Sequence, residues 1–286
     1  KVTLNRLTAT GNGSYGGYIV NTYPTADKPS DVLLTGSGVF HDNVSSGFYV
    51  SSYGVISAAN LSADRNGAYG VNLDNSGALT AKVVTLTGTN AFHDNGSSNL
   101  SISSHGAVTL SNLTASGSTG GTGASIYNNG AASAQKVTLS GTNVFEDNRN
   151  TGLEVRSAGA ITVSGLRAHR NGLTAFGYGA DLNNSTTTFG AQPVTLTGSA
   201  FASGNYSNGL YVRSLGNITA ANVTANGSLH GSGANLNNSN VGATGGVTLT
   251  GMNLFNNNQS YGLLVQSRGL VKLSSLTASG TVAGPG

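Results

Sequence analysis

The stretch VTLTGTNAFHDN at residues 84–95 recurs along the chain, and no other feature restricts the fold as strongly. Residues 32–43 read VLLTGSGVFHDN, 137–148 VTLSGTNVFEDN, 194–205 VTLTGSAFASGN and 247–258 VTLTGMNLFNNN. A related unit lies between the copies: GVISAANLSADRNG (54–67), GAVTLSNLTASGS (106–118), GAITVSGLRAHRNG (159–172), GNITAANVTANGS (216–228) and GLVKLSSLTASGT (269–281), with KVTLNRLTATGNG at the N-terminus. The first apolar residues of these units are Val2, Val32, Ile56, Val84, Val108, Val137, Ile161, Val194, Ile218, Val247 and Val271. The steps between them alternate between 24 and 28–33 residues. A fixed period of this kind marks one unit stacked on copies of itself. The chain therefore reads as about eleven coils over residues 1–286, one solenoid of five two-coil repeats starting near 32, 84, 137, 194 and 247.

Within a coil the pattern has period 2. In V-T-L-T the apolar residues face one way and Thr the other. A second strand follows, shaped Gly–apolar–x–apolar–x–Ser/Asn, as in GFYVSS (47–52), GLEVRS (152–157) and GANLNN (233–238). No 3.6-residue pattern separates the strands, which excludes βαβ and leucine-rich architectures. Short strands joined by Gly/Asn corners suit an all-β parallel β-helix, each coil stacked about 4.8 Å from the next, for a rod roughly 50 Å long. The pattern resembles the right-handed parallel β-helix superfamily, which includes pectate-lyase-like enzymes and repeat tracts of large bacterial surface proteins and adhesins. That resemblance covers essentially the whole chain and is one of architecture.

Stacking turns repeated positions into columns. Val50, Leu73, Ile102, Ile126, Val155, Leu182, Val212, Leu236 and Val265 form one inward column. Phe40, Phe92, Phe145, Phe201 and Phe255 form a core stack in alternate coils, with Leu61, Leu113, Leu166, Val223 and Leu276 expected between them. Asn43, Asn95, Asn148, Asn205 and Asn258, with Asn66 and Asn171, are expected at the corners as a structural ladder, since Asn accepts left-handed backbone and amides can bond along a stack. Length varies in the loops 22–31, 74–83, 128–136, 183–193 and 239–246, expected along one edge, where Pro24, Pro29 and Pro193 also lie.

Composition narrows the function. Charged residues are 8% and the net charge is +3, with no Lys/Arg run, so nucleic acid is not an expected partner. No stretch of about 18 apolar residues calls for membrane insertion, and the sequence contains no Cys. The Gly-x-Ser-x-Gly, His-Glu-x-x-His and phosphate-loop patterns are absent, as are the DD, GH and RIK elements of the polygalacturonase branch. Asp42, Asp94 and Asp147 share a column two strand spacings apart, too far for one small cation. No cofactor, metal or catalytic residue is expected. The densest polar group is Glu154, Arg156, Asp181, Tyr211 and Arg213, a candidate glycan-binding patch or a solvated ion-pair network.

Outward from V-T-L-T, Thr3, Thr85, Thr109, Thr138, Thr162, Thr195, Thr219 and Thr248 fill eight of eleven places, interrupted toward the C-terminus by Lys272. This column resembles the T-x-T face of ice-binding solenoids. Asn-x-Ser/Thr triplets such as those at Asn60, Asn112 and Asn222 leave glycosylation open. Neither end carries a recognisable cap, so the chain is expected to be an excerpt of a longer array or a subunit that stacks head to tail. The expected function is a structural rod or filament at a bacterial cell surface, extracellular, with copies of itself and surface glycans as partners. A polysaccharide-binding or -cleaving β-helix is the alternative, and ice binding a minor one.

Overall fold

The computed structural model describes residues 1–22, 27, 29–174, 176–186 and 188–284. Pro24, half of the 22–31 loop and the terminal Pro285–Gly286 lie outside them. Every paired strand is parallel, in one sheet of eighteen strands and a second of ten. The chain is a parallel β-solenoid.

The first sheet holds two segments per coil, such as Val84–Thr87 and Asn90–His93; the second sheet takes the third, Leu100–Ser103. The ten strands of the second sheet are joined by nine pairings, from Gly17–Asn21 to Leu263–Ser267. That makes about nine turns, fewer than the eleven coils expected, because the coil starts at Val2 and Val271 mark the two ends. At about 4.8 Å per turn the rod is roughly 45 Å long.

The core runs the length of the rod. Val84, Val108, Val137, Ile161 and Val194 are 0% exposed and pair one to one. The aromatic column differs from expectation in two ways. Phe40, Phe92 and Phe145 pair with Ala63, Ala115 and Ala168, whereas Leu61, Leu113 and Leu166 pair with Gly38, Asn90 and Asn143. The intervening places are therefore filled by Ala. A short coil contributes Phe and Asn where a long coil contributes Ala and Leu, and this exchange of volume keeps the interior evenly packed.

Phe201 is also not in the core stack. It follows Val194 by seven residues, whereas Phe92 follows Val84 by eight. An odd offset on a period-2 strand turns a side chain outward. Ala200 and Ala202 are buried in its place, and Phe201 lies half-exposed beside Arg167 (5.1 Å) and His169 (5.7 Å).

Backbone polarity is satisfied by three sets of buried amides. At the corner after the aromatic, Asn43 Nδ2 donates to Asn66 Oδ1 (2.8 Å) and Asn66 Nδ2 to Asn95 Oδ1 (2.9 Å). Each amide also caps a carbonyl, as Asn66 does Phe40 O (2.9 Å). The left-handed residue is not the ladder Asn but the one before it: Asp42, Asp94, Asp147 and Asn257 have φ of 54–57°, and Gly204 has 66°. Asp, Asn and Gly tolerate this region best, and Arg65 and Arg170, before Asn66 and Asn171, adopt it too, with φ of 53° and 51°. The second set sits between the two first-sheet segments, where Asn90 and Asn143 are 1% and 0% exposed and bond the backbone freed at the bend. Gly38 and Ala200 replace them in two short coils, and there the strand runs unbroken as Val32–His41 and Val194–Phe201. The third set, Asn75, Asn128 and Asn184, pins the ends of the variable loops 74–83, 128–136 and 183–193 through bonds to Lys82, Gln135 and Gln192 carbonyls.

Candidate functional site

The second sheet's outer face carries Glu154 and Arg156 on Leu153–Arg156, Asp181 on Ala180–Asn183, and Tyr211 and Arg213 on Leu210–Arg213. Register places Glu154, Asp181 and Tyr211 in one row, and Arg156, Asn183 and Arg213 in the next. Arg156 Nη2 bridges Glu154 (2.9 Å) and Asp181 (2.7 Å), while Arg213 reaches Asp181 at 3.3 Å. Arg213 also lies 4.6 Å over the Tyr211 ring, and Tyr178 packs 5.2 Å from Tyr211. The pleat points Asp181 outward, yet it is only 3% exposed because the guanidiniums and rings close over it.

Electrostatics follow from that closure. Burial lowers the Arg156 pKa, but its bond to Asp181 and the carboxylate charges outweigh burial and raise it. Tyr127, one coil below Glu154 and not anticipated from sequence, is pushed up to about 12 by burial and then by its hydrogen bond to Glu154. Tyr178 is raised by burial and by the charge of Asp181. Tyr127 keeps its proton more tightly folded than unfolded, so its contribution is intact below about pH 10 and lost as pH rises toward about 12. Wild type is expected to lose more unfolding free energy than Tyr127→Phe across that window in urea titrations.

The two carboxylates and two guanidiniums cancel in charge. Asp181 is held by both arginines and Glu154 by one. Asp181→Ala leaves two like charges facing each other and is expected to cost about 2–3 kcal/mol. That is below the ~3–5 kcal/mol of a fully buried pair because the arginines can turn to solvent. Restored stability in Asp181→Ala/Arg156→Met would identify charge repulsion as the cause.

Other clusters resolve into structural roles. His41 Nε2 meets both Ser62 Oγ (2.8 Å) and Asp64 Oδ2 (3.1 Å). A Ser–His–Asp relay needs the two ring nitrogens for separate partners, so this is not a nucleophilic triad. Between the corner aspartates lie residues the spacing argument did not anticipate. Arg65 forms a two-pronged pair with Asp42 (2.8 and 2.9 Å), and Arg170 one with Asp147 (2.6 and 2.6 Å). These bonds lower the pKa of both carboxylates. Among the described residues no group of three or more His, Asp or Glu can hold a metal ion. Asn60, Asn112 and Asn222 are exposed in left-handed backbone, each accepting an N–H of the next coil, from Thr89, Thr142 and Met252.

The fold and its outer face define the protein as a parallel β-solenoid bearing a self-neutralised polar patch. Compared with known proteins, the chain matches no family model, no curated protein and no solved structure.

Proposed function

We propose that the protein is a structural rod of the right-handed parallel β-helix type, working outside a bacterial cell or at its surface. One observation carries the reading: one apolar core runs through the stacked coils and runs of corner amides bond from coil to coil, as solenoid stability by nearest-neighbour stacking requires. Low charge suits the role, since few contacts are open to screening. Glycan adhesion is assigned to the second sheet, where Tyr18 and Tyr49 stack at 5.0 Å near Tyr15, and Tyr178 and Tyr211 flank the charged patch. Aromatic faces beside hydrogen-bonding groups suit sugar rings. A cleaving enzyme is the weaker alternative, because the patch carboxylates are paired.

Self-association of copies of the chain belongs to the same reading. Electron microscopy and sedimentation test both parts. Stiff rods that associate with one another as concentration rises are expected. Flexible particles would refute the rod, and single rods at every concentration would refute the self-association.

A further inference from the structure

We propose that the outer face of the first sheet binds ice through its threonine column. Thr85 pairs with Thr109 and Thr109 with Thr138, and the pairing continues through Thr162, Thr195 and Thr219 to Thr248. Seven consecutive coils thus place one residue type in register, at a repeat of about 4.8 Å. The neighbouring column, two residues along each strand and so about 6.6 Å away, holds Thr87, Ser111, Ser140, Ser164, Thr197 and Thr250, with Ala221 in one coil.

β-propensity does not account for the column. Thr is favoured on any pleated, half-exposed surface, so both sheets should carry it. The ten strands of the second sheet contain no Thr. Their outward positions hold Tyr, Asn, Ser, Glu, Asp and Arg instead, with Val20, Leu264 and Gln266 toward the ends. The threonines belong to one face of the rod rather than to strands in general.

The hydroxyls of that column are also uncommitted. In the neighbouring column Ser111 and Ser140 donate to the carbonyls of Gly88 and Leu110, and Ser164 bonds Thr197. Among the described residues no hydrogen bond within the protein engages the side chains of the seven paired threonines. Each offers a hydroxyl and a methyl on a stiff β-branched stem, and the rod holds them at a fixed spacing before anything binds, which removes the ordering cost. Neither column carries a charge from Thr85 to Thr250. The complementary partner is an uncharged solid whose surface repeats at nearly the same distance and both donates and accepts hydrogen bonds. Ice has that surface, and its lattice excludes ions.

The test uses the full chain and its Thr138→Lys/Thr195→Lys variant. Lys is tolerated in this column, since Lys272 pairs with Thr248, and melting curves check the fold. Thermal hysteresis and uptake of labelled protein into a growing ice hemisphere are read, with Ser101→Lys on the other sheet as control. Wild type and control are expected to enter ice and the lysine variant to lose at least tenfold. Exclusion of wild type from ice, uptake unchanged by the lysines, or adsorption to crystalline cellulose without ice uptake would each overturn the proposal and leave the rod reading intact.

Discussion

Phe145→Ala is expected to remove about 3–5 kcal/mol of stability, at the upper end of the range for large-to-small core changes. Phe145 is fully buried, and its neighbour in the next coil is Ala168. The coil below carries Ala115 at the same place. Small residues on both sides leave nothing to fall into the cavity, so the void persists. Phe201→Ala removes a ring that lies half-exposed over Arg167 and His169, and should cost less than about 1 kcal/mol. Equilibrium urea unfolding of both variants measures the difference. Equal effects would mean that the half-turn offset of Phe201 is wrong.

Asn171→Ala should be comparably damaging. Asn171 Oδ1 accepts the Asn148 backbone N–H (3.2 Å) and its Nδ2 (2.9 Å), and Asn171 Nδ2 donates to Phe145 O (2.9 Å) and Asn205 Oδ1 (3.0 Å). Removing it strands the Asn148 N–H and takes this cap from the Phe145 carbonyl in a corner no more than 2% exposed, whereas Asn148 Nδ2 keeps Ala115 O (3.0 Å) and Asn205 Oδ1 keeps the backbone N–H of residue 171 (3.0 Å). At about 1–3 kcal/mol per unmet buried group, offset by any water that enters, the expected loss is about 2–5 kcal/mol. The same ladder contains its own repair and its own gap. Where Ser118 replaces the corner Asn, Asn99 reaches in from another position, linking Asn95 (2.7 Å) to Asn148 (3.2 Å). Where Ser228 replaces it, nothing bridges Asn205 and Asn258, and Ser228 Oγ is buried without a partner among the described residues. Ser228→Asn is therefore expected to stabilise by about 1 kcal/mol, and Asn99→Gly to destabilise, although Gly70 and Gly123 occupy that place in the adjoining coils. A neutral or harmful Ser228→Asn would show that the corner cannot seat a fourth amide.

The candidate patch was legible to a useful degree. Alternation placed Glu154, Arg156, Asp181, Tyr211 and Arg213 on one outer face, and the pairing of their strands brings them into contact. What the residues do to one another was not legible. The near-complete burial of Asp181, the lid of Tyr178 and the coupling to Tyr127 come from coils 25 or more residues apart, and no local pattern marks them.

By itself the sequence determined the architecture: a period alternating between 24 and 28–33 residues admits a stacked solenoid and little else, because each unit can bury its apolar face only against its neighbour. It also contained the parity of Phe201, seven residues from Val194 against eight elsewhere, although that offset has meaning only once the strand is known to be continuous. Tertiary structure alone decided which residues meet across coils. Ala rather than Leu sits on Phe, Arg65 stands between Asp42 and the next aspartate, and Asn99 fills the place that Ser118 leaves. The reason is physical. Long and short coils differ by one residue at the bend, so equal distances along the chain do not become equal heights in the stack, and only the hydrogen-bonded register fixes the partners.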